Sequence, residues 1–299
     1  MSCFRILLLL FLLIVPCVRA LAQESTPLFS FGVIADVQYA DADQWGKRDY
    51  RGSPERLKKS VEIFNQHALA FIVHAGDLID RDHRSFEIPL DIFRKAKAPV
   101  HYVIGNHEFS VADSLKNGVR KLLGNERGYY GFTNGNMQFL LTDALDVSVH
   151  ASVKGTRSYA KASVILEELK KEKANNAHAW NGAIGRQQLK WLKKKLRQGE
   201  KRGYRTVVFS HLPLLPENGL QLWNNHEVLE LLNQYPSVVA FISGHHHEGG
   251  YVKKGHIHHL TLKGLVESVS ESACGVVDVY SGKLVLKGFG DQQDYVLEY

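Results

Sequence analysis

The chain has 299 residues, 44% hydrophobic and 23% charged, with a formal net charge of +6. That composition excludes a disordered or membranous protein, and the length suits one large α/β domain or two small ones. The positive charge is compatible with anionic substrates, but no basic stripe interleaved with aromatics points to nucleic acid.

Residues 6–15 are an unbroken apolar run, preceded by Arg5 and followed by Pro16. The run is too short to cross a bilayer, and Ala20-Leu21-Ala22 offers a small-x-small cleavage site before Gln23. Residues 1–22 therefore read as a signal peptide, leaving an exported chain over 23–299, secreted or periplasmic, with no membrane span. Losing Arg5 and Arg19 lowers the net charge to +4, and losing Cys3 and Cys17 leaves only Cys274. One cysteine forms no internal disulfide, so an exported chain must be held by core packing.

Residues 28–35 form the first predicted strand, ending at Asp36-Val37-Gln38. Alternation along an extended backbone would place the Asp36 and Gln38 side chains on one side. Ser53-Pro54 opens a helix, with Ser53 as N-cap and Leu57, Val61 and Phe64 as its apolar stripe. A strand over 70–74 follows, with Gly76-Asp77 leaving its tip. Residues 85–96 predict a helix, leading into a buried strand over 100–104 that stops at Gly105-Asn106-His107-Glu108. Gly105 permits a sharp exit there.

Helices are expected over 111–123, 164–173 and 185–198, the last two with lysine-rich solvated faces. Strands are expected over 137–142 and 206–210, the second ending at His211-Leu212-Pro213. A helix over 225–234 precedes a strand over 238–242, which ends at Ser243-Gly244-His245-His246-His247. From Tyr251 onward, short alternating runs with Gly turns predict antiparallel sheet. No repeat and no linker breaks the chain, so one domain follows the signal segment.

Any one of these tip residues alone is a cap or turn residue. Five strands ending in ligand types are a constellation. Asp36, Gln38, Asp77, Asn106, His211, His245 and His247 supply carboxylates, amide oxygens and imidazoles, more than one ion can use. Two cations sharing one bridging carboxylate, about 3.5–4 Å apart, can use them all. Mixed O and N donors suit Mn, Fe, Zn or Mg, and fifteen His fit the same reading.

The order D-V-Q, G-D-L-I-D, G-N-H-E, S-H-L-P and G-H-H-H resembles the signature of calcineurin-like metallophosphoesterases. Gln38 stands where most of that superfamily has His. With Asn181-Gly182, Gln188-Leu189, Trp191-Leu192 and Glu248-Gly249-Gly250-Tyr251, the chain looks like the manganese-dependent ADP-ribose/CDP-alcohol diphosphatases.

The resemblance implies a four-layer α/β/β/α sandwich and hydrolysis of a phosphoanhydride by water activated between two divalent metals. Asp36, Gln38, Asp77 and His247 would hold one ion, and Asp77, Asn106, His211 and His245 the other, with Mn2+ the first candidate. His107 would protonate the leaving group, and the substrate would be a small nucleotide. No oligomeric state follows. Two other readings are a phosphomonoesterase or cyclic-nucleotide phosphodiesterase with the same metals, and a secreted binding protein with a vestigial site.

Glu108 and Asp80 are as readily supporting or ion-paired residues as functional ones. Trp45, Trp180 and Trp223 lie in polar, loop-like context, where they either pack or stack a base. His246 should point away from its neighbours, and His256, His258 and His259 read as strand or surface histidines.

Overall fold

The computed structural model describes residues 26–299; the segment expected to be a signal peptide lies outside the described residues. The first half runs β1 (Phe29–Ile34), α1 (Ser53–Asn65), β2 (Leu69–His74), α2 (Glu87–Phe93), β3 (Val100–Tyr102), α3 (Asp113–Leu122), β4 (Tyr130–Asn134), β5 (Met137–Leu141) and α4 (Arg157–Lys171). The second runs α5 (Arg186–Lys201), β6 (Arg205–Phe209), α6 (Asn225–Asn233), β7 (Val238–Ser243), β8 (Glu248–Lys254), β9 (Ile257–Lys263), β10 (Ala273–Val279), β11 (Lys283–Gly290) and β12 (Tyr295–Glu298).

The strands make two six-stranded sheets, ordered β12-β11-β10-β1-β2-β3 and β4-β5-β6-β7-β9-β8. Within each, a parallel block (β1-β2-β3, or β5-β6-β7-β9) is flanked by antiparallel strands. Alternation assigns the faces. Phe31 and Val33 of β1, Phe71 and Val73 of β2, Phe139 of β5 and Phe209 of β6 fill the space between the sheets. Phe31 stacks on Phe71 at 5.0 Å and meets Phe139 edge-on at 5.5 Å, the geometries aromatic quadrupoles prefer.

The other face of each sheet takes the helices. Ile34 and Ile72 pack with Leu57, Val61 and Phe64 of α1, while Val208 and Phe241 share a cluster with Leu192 and Leu196 of α5 and Leu232 of α6. The result is the expected α/β/β/α sandwich.

Several elements differ from expectation. Gly52, not Ser53, precedes α1, and the Ser53 hydroxyl donates to the Tyr50 carbonyl at 2.9 Å. Helix α4 begins earlier, at Arg157, because Thr156 caps it by accepting from the Tyr159 N–H at 3.3 Å. Strand β4 was not legible, since Gly131, Thr133 and Asn134 break its apolar pattern; its pairing with β5 makes it a strand. The C-terminal sheet is not wholly antiparallel, because β9 runs parallel to β7. Cys274 is a buried free thiol on β10, as its apolar neighbours suggested.

His258 and His259 lie on β9 and are buried rather than on the surface. Both His259 ring nitrogens lack a hydrogen-bond partner, and burial pushes its pKa down to about 4, with Lys254 and His258 adding to the fall. A depressed folded-state pKa means the unfolded chain takes up the proton first. The stability it protects is complete above the unfolded value of 6.5 and is lost as pH falls toward 4. The expected loss from this one group is about 2 kcal/mol at pH 5. Urea unfolding with chelator present should show His259→Phe losing less stability between pH 7.5 and pH 5 than the parent chain; parallel losses would clear His259.

Candidate metal centre

The ladders of β1 and β7 end at Ile34 and Ser243, short of the residues expected to face the site. Asp36, Gln38, Asp77 and His245 adopt left-handed backbone, with φ of 53°, 43°, 58° and 70°. That conformation is unfavourable for residues with a Cβ and persists only where surrounding structure enforces it. The expected extended alternation of Asp36 with Gln38, and of His245 with His247, is therefore not how these side chains arrive. Left-handed turns aim them.

Hydrogen bonds between the turns hold the strain. The Asp36 N–H donates to Gly76 O at 3.0 Å and the Gln38 N–H to Asp77 O at 2.9 Å. The His245 N–H donates to both Asp36 carboxylate oxygens, at 3.2 and 3.1 Å. A Cβ on Gly76 would run into the His211 ring, and one on Gly105 into the Asp77 carboxylate. Both positions need glycine for want of space.

All seven expected donors converge in two groups. In the first, the Gln38 amide lies 3.1 Å from Asp77 Oδ2 and 3.0 Å from His247 Nε2, which is 3.5 Å from Asp36 Oδ1. In the second, His211 Nε2 lies 3.1 Å from Asp77 Oδ2 and 3.1 Å from Asn106 Oδ1. Donor atoms of Asp77, His211 and His245 fall within 4.8 Å of one another. Asp77 belongs to both groups.

Gln38 Oε1 and His245 Nε2 are buried without hydrogen-bond partners. Gln38, Asn106, His245 and His247 line a cavity of about 610 Å3. Buried polar atoms left without partners in residues that line a cavity are what a bound cation satisfies, so the donor set fits divalent metals.

Electrostatics point the same way. Burial would raise the Asp77 pKa, but His211 and His107 hold it well below the usual carboxylate range. Burial would lower His211, yet the Asp77 charge and hydrogen bond raise it to about 9. His247 likewise rises to about 9 against burial, through Asp36 and Glu267. His245, buried and beside His211, is pushed well below its ordinary value. The carboxylates demand positive charge, and protonated imidazoles meet that demand when no cation does.

A second layer orients these groups. His211 Nδ1 donates to the Ala75 carbonyl at 2.9 Å, leaving Nε2 for the cluster. Glu267 Oε1 sits 2.8 Å from His247 Nδ1 and does the same for that ring. Carboxylates behind ligating imidazoles fix their tautomer and orientation. Sequence reasoning passed over Glu267, which lies in the C-terminal region with no motif around it.

His107 stands at the cavity wall, its Nδ1 2.7 Å from Asp80 Oδ1, its Nε2 4.0 Å from Asp77 Oδ2 and its own N–H donating to Asp77 Oδ1 at 2.8 Å. Asp80, undecided from sequence, is the partner of His107. Glu108 is fully buried and accepts from the N–H groups of Gly105, Asp77 and Leu78, at 2.9, 3.1 and 2.5 Å. It ties the two loops together. His150, also passed over, lines the cavity, and burial pushes its pKa down to about 4. His246 lines the cavity too, contrary to expectation, because the turn at His245 breaks the alternation.

The chain belongs to the calcineurin-like phosphoesterase family, whose model matches residues 29–249. The human manganese-dependent ADP-ribose/CDP-alcohol diphosphatase is 30% identical, covering 95% of this chain and 96% of that protein. The Xenopus tropicalis protein of the same name is 33% identical, over 91% of this chain and 95% of its own length. Among solved structures, a dimetal phosphatase from Danio rerio superposes with a TM-score of 0.82 at 30% identity, over 91% of this chain and 99% of that one.

Removing Glu108 orphans three buried N–H groups, each costing about 1–3 kcal/mol. Glu108→Ala should therefore lower the urea midpoint and weaken metal retention, since Asp77 and Asn106 lose their common tether. Midpoint and elemental analysis both matching the parent chain would contradict that role.

Proposed function

We propose that the chain hydrolyses the phosphoanhydride of nucleoside diphosphate-linked compounds such as ADP-ribose and CDP-alcohols. The products are a nucleoside monophosphate and a phosphorylated second product. The carrying observation is the pair of donor groups sharing buried Asp77 beneath a nucleotide-sized cavity. The names of the similar proteins supply the substrate class.

In this reading Asp36, Gln38, Asp77 and His247 would hold one divalent ion, and Asp77, Asn106, His211 and His245 would hold the other. The Gln38 amide oxygen, harder than an imidazole, favours Mn2+ or Mg2+ over Zn2+. When bound, the cations neutralise charge on the phosphoryl oxygens and make water acidic enough to serve as nucleophile near neutral pH.

The side chains do the rest. Asp77 places the two donor groups against each other, and Glu108 keeps its loop in register with Asn106. Burial would lower the His107 pKa, but Asp77 and the Asp80 hydrogen bond raise it. Asp80 also fixes the ring, so that Nδ1 carries the proton facing Asp80 and Nε2 lies on the side of the donor cluster, 4.0 Å from Asp77 Oδ2. A proton held at Nε2 is available to the leaving oxygen as charge develops there. Residues 1–22 direct export of the chain in this proposal, supported by their apolar run and small-residue site. N-terminal sequencing of protein recovered outside the cytoplasm tests that, with Gln23 expected first.

Purified chain with Mn2+ should convert ADP-ribose to AMP and ribose 5-phosphate, and CDP-choline to CMP, read by chromatography. Turnover of a cyclic nucleotide or phosphomonoester alone would favour the other enzymatic readings, and no turnover the binding one. Asp77→Ala should lose metal and nearly all turnover; two ions per chain in an active variant would refute its bridging position. His107→Ala should lower kcat and kcat/KM together by about 10²–10⁴ with metals retained, and Asp80→Asn should follow in the same direction but less. An activated aryl ester should suffer less than a CDP-alcohol; equal losses would leave His107 an electrostatic role only.

A further inference from the structure

The positive charge of the chain is gathered on one helix. Residues 186–202, α5 and the residue after it, hold eight Lys and Arg against a single Glu, a formal +7. The whole chain carries +6, so everything outside this segment sums to −1. At 100° per residue, Arg186, Lys190, Lys193, Lys194, Arg197 and Lys201 fall within an arc about 100° wide, and no other residue of α5 falls there. All six are exposed. The buried Gln188, Leu192, Leu196 and Gly199 lie on the far side of the helix. The stripe runs the full 16 residues, about 24 Å.

Such a stripe works against its own helix. Arg186 and Lys190, Lys190 and Lys194, Lys193 and Arg197, and Arg197 and Lys201 are like charges four residues apart, which repel across each turn. No carboxylate relieves them: among the described residues, none of the six forms an ion pair. Glu227 and Glu230 of α6 share a groove with Arg186, Lys190 and Lys193, yet Glu227 accepts from the Asn224 amide at 2.9 Å instead. Lysines on other helices are arranged differently. On α1 Lys58 meets Glu55 at 2.5 Å and Lys59 meets Glu62 at 3.2 Å, and on α4 Lys170 meets Glu167 at 2.9 Å. Mixed faces of that kind suffice for solubility, so the single-sign stripe on α5 points to an anionic partner.

We propose that this stripe docks the protein on the surface of an anionic lipid bilayer, at a site separate from the metal centre. Basic clusters of this size on one helix face are drawn to anionic headgroups, each cation adding to the attraction. A straight stripe on the outer layer of the sandwich meets a plane of headgroups along its whole length. It holds no aromatic ring to stack a base, as a single-stranded nucleic acid would need. Nor does it hold an apolar side chain to insert, so attachment is by charge alone and salt reverses it.

The test is co-sedimentation of the processed chain, residues 23–299, with vesicles of phosphatidylglycerol and phosphatidylcholine in equal parts, and of phosphatidylcholine alone. The chain should bind the anionic vesicles at low salt, leave them at high salt and ignore the neutral ones. The variant carrying Lys190→Gln, Lys193→Gln, Lys194→Gln and Arg197→Gln should bind about 10²–10³-fold more weakly. Its urea midpoint should be no lower than the parent's, because repulsion is relieved. A matched variant with Lys58→Gln, Lys59→Gln, Lys121→Gln and Lys170→Gln removes four ion-paired lysines and should bind as the parent does. No binding to anionic vesicles, undiminished binding by the α5 variant or equal loss in the matched variant would overturn the proposal. Should the α5 variant fold poorly, the parent chain's preference for anionic vesicles and its release by salt still decide. Tighter binding to duplex DNA than to the vesicles at the same salt would also overturn it, and make nucleic acid the partner.

Discussion

A carboxylate with no exposed surface has to be matched by cations or N–H donors, and Asp77 is such a carboxylate. Its Oδ1 takes the His107 N–H, while its Oδ2 faces the Gln38 amide and His211 Nε2. Charge and these N–H donors together make that position tolerable. The rest of the site follows: imidazoles pulled toward the protonated form, amides drawn in, and two buried acceptors left over for an ion.

Second carboxylates stand behind the first. Asp80 backs His107, Glu267 backs His247, and Glu108 gathers three backbone N–H groups. Burial and the Asp77 charge push Glu108 up to about 8, while its N–H donors favour the anion. This layer converts flexible loop residues into an ordered array, which a reaction relying on alignment requires. The same layer reaches the rim, since Glu267 also meets Arg48 beneath Trp45.

The sandwich makes the array possible. Aromatic packing between the sheets fixes β1, β2 and β6 relative to one another, and with them the tips carrying Asp36, Asp77 and His211. Strain at four of the donor residues is tolerable because two packed sheets over-determine where each turn must go.

The sequence by itself determined strands β1, β2, β3, β5, β6 and β7 and helices α1, α5 and α6, and it singled out the seven donor-type residues and His107 that the structure brings together. Period-two and helical apolar patterns are local, and chemically distinctive residues at strand tips are conspicuous without a structure. The edge strand β4 and the parallel course of β9 depend on pairing partners far along the chain, so they were not legible. Tertiary structure also decided how the donors arrive. The alternation argument assumed extended backbone, whereas left-handed turns, held by bonds between loops over 30 residues apart, do the aiming. It likewise gave Asp80 and Glu108 their duties, drew Glu267 and His150 to the site, and separated exposed Trp45 and Trp180 from buried Trp223. A residue's chemical type is written in its letter, but its partner is set by packing across the sheets, which no local pattern encodes.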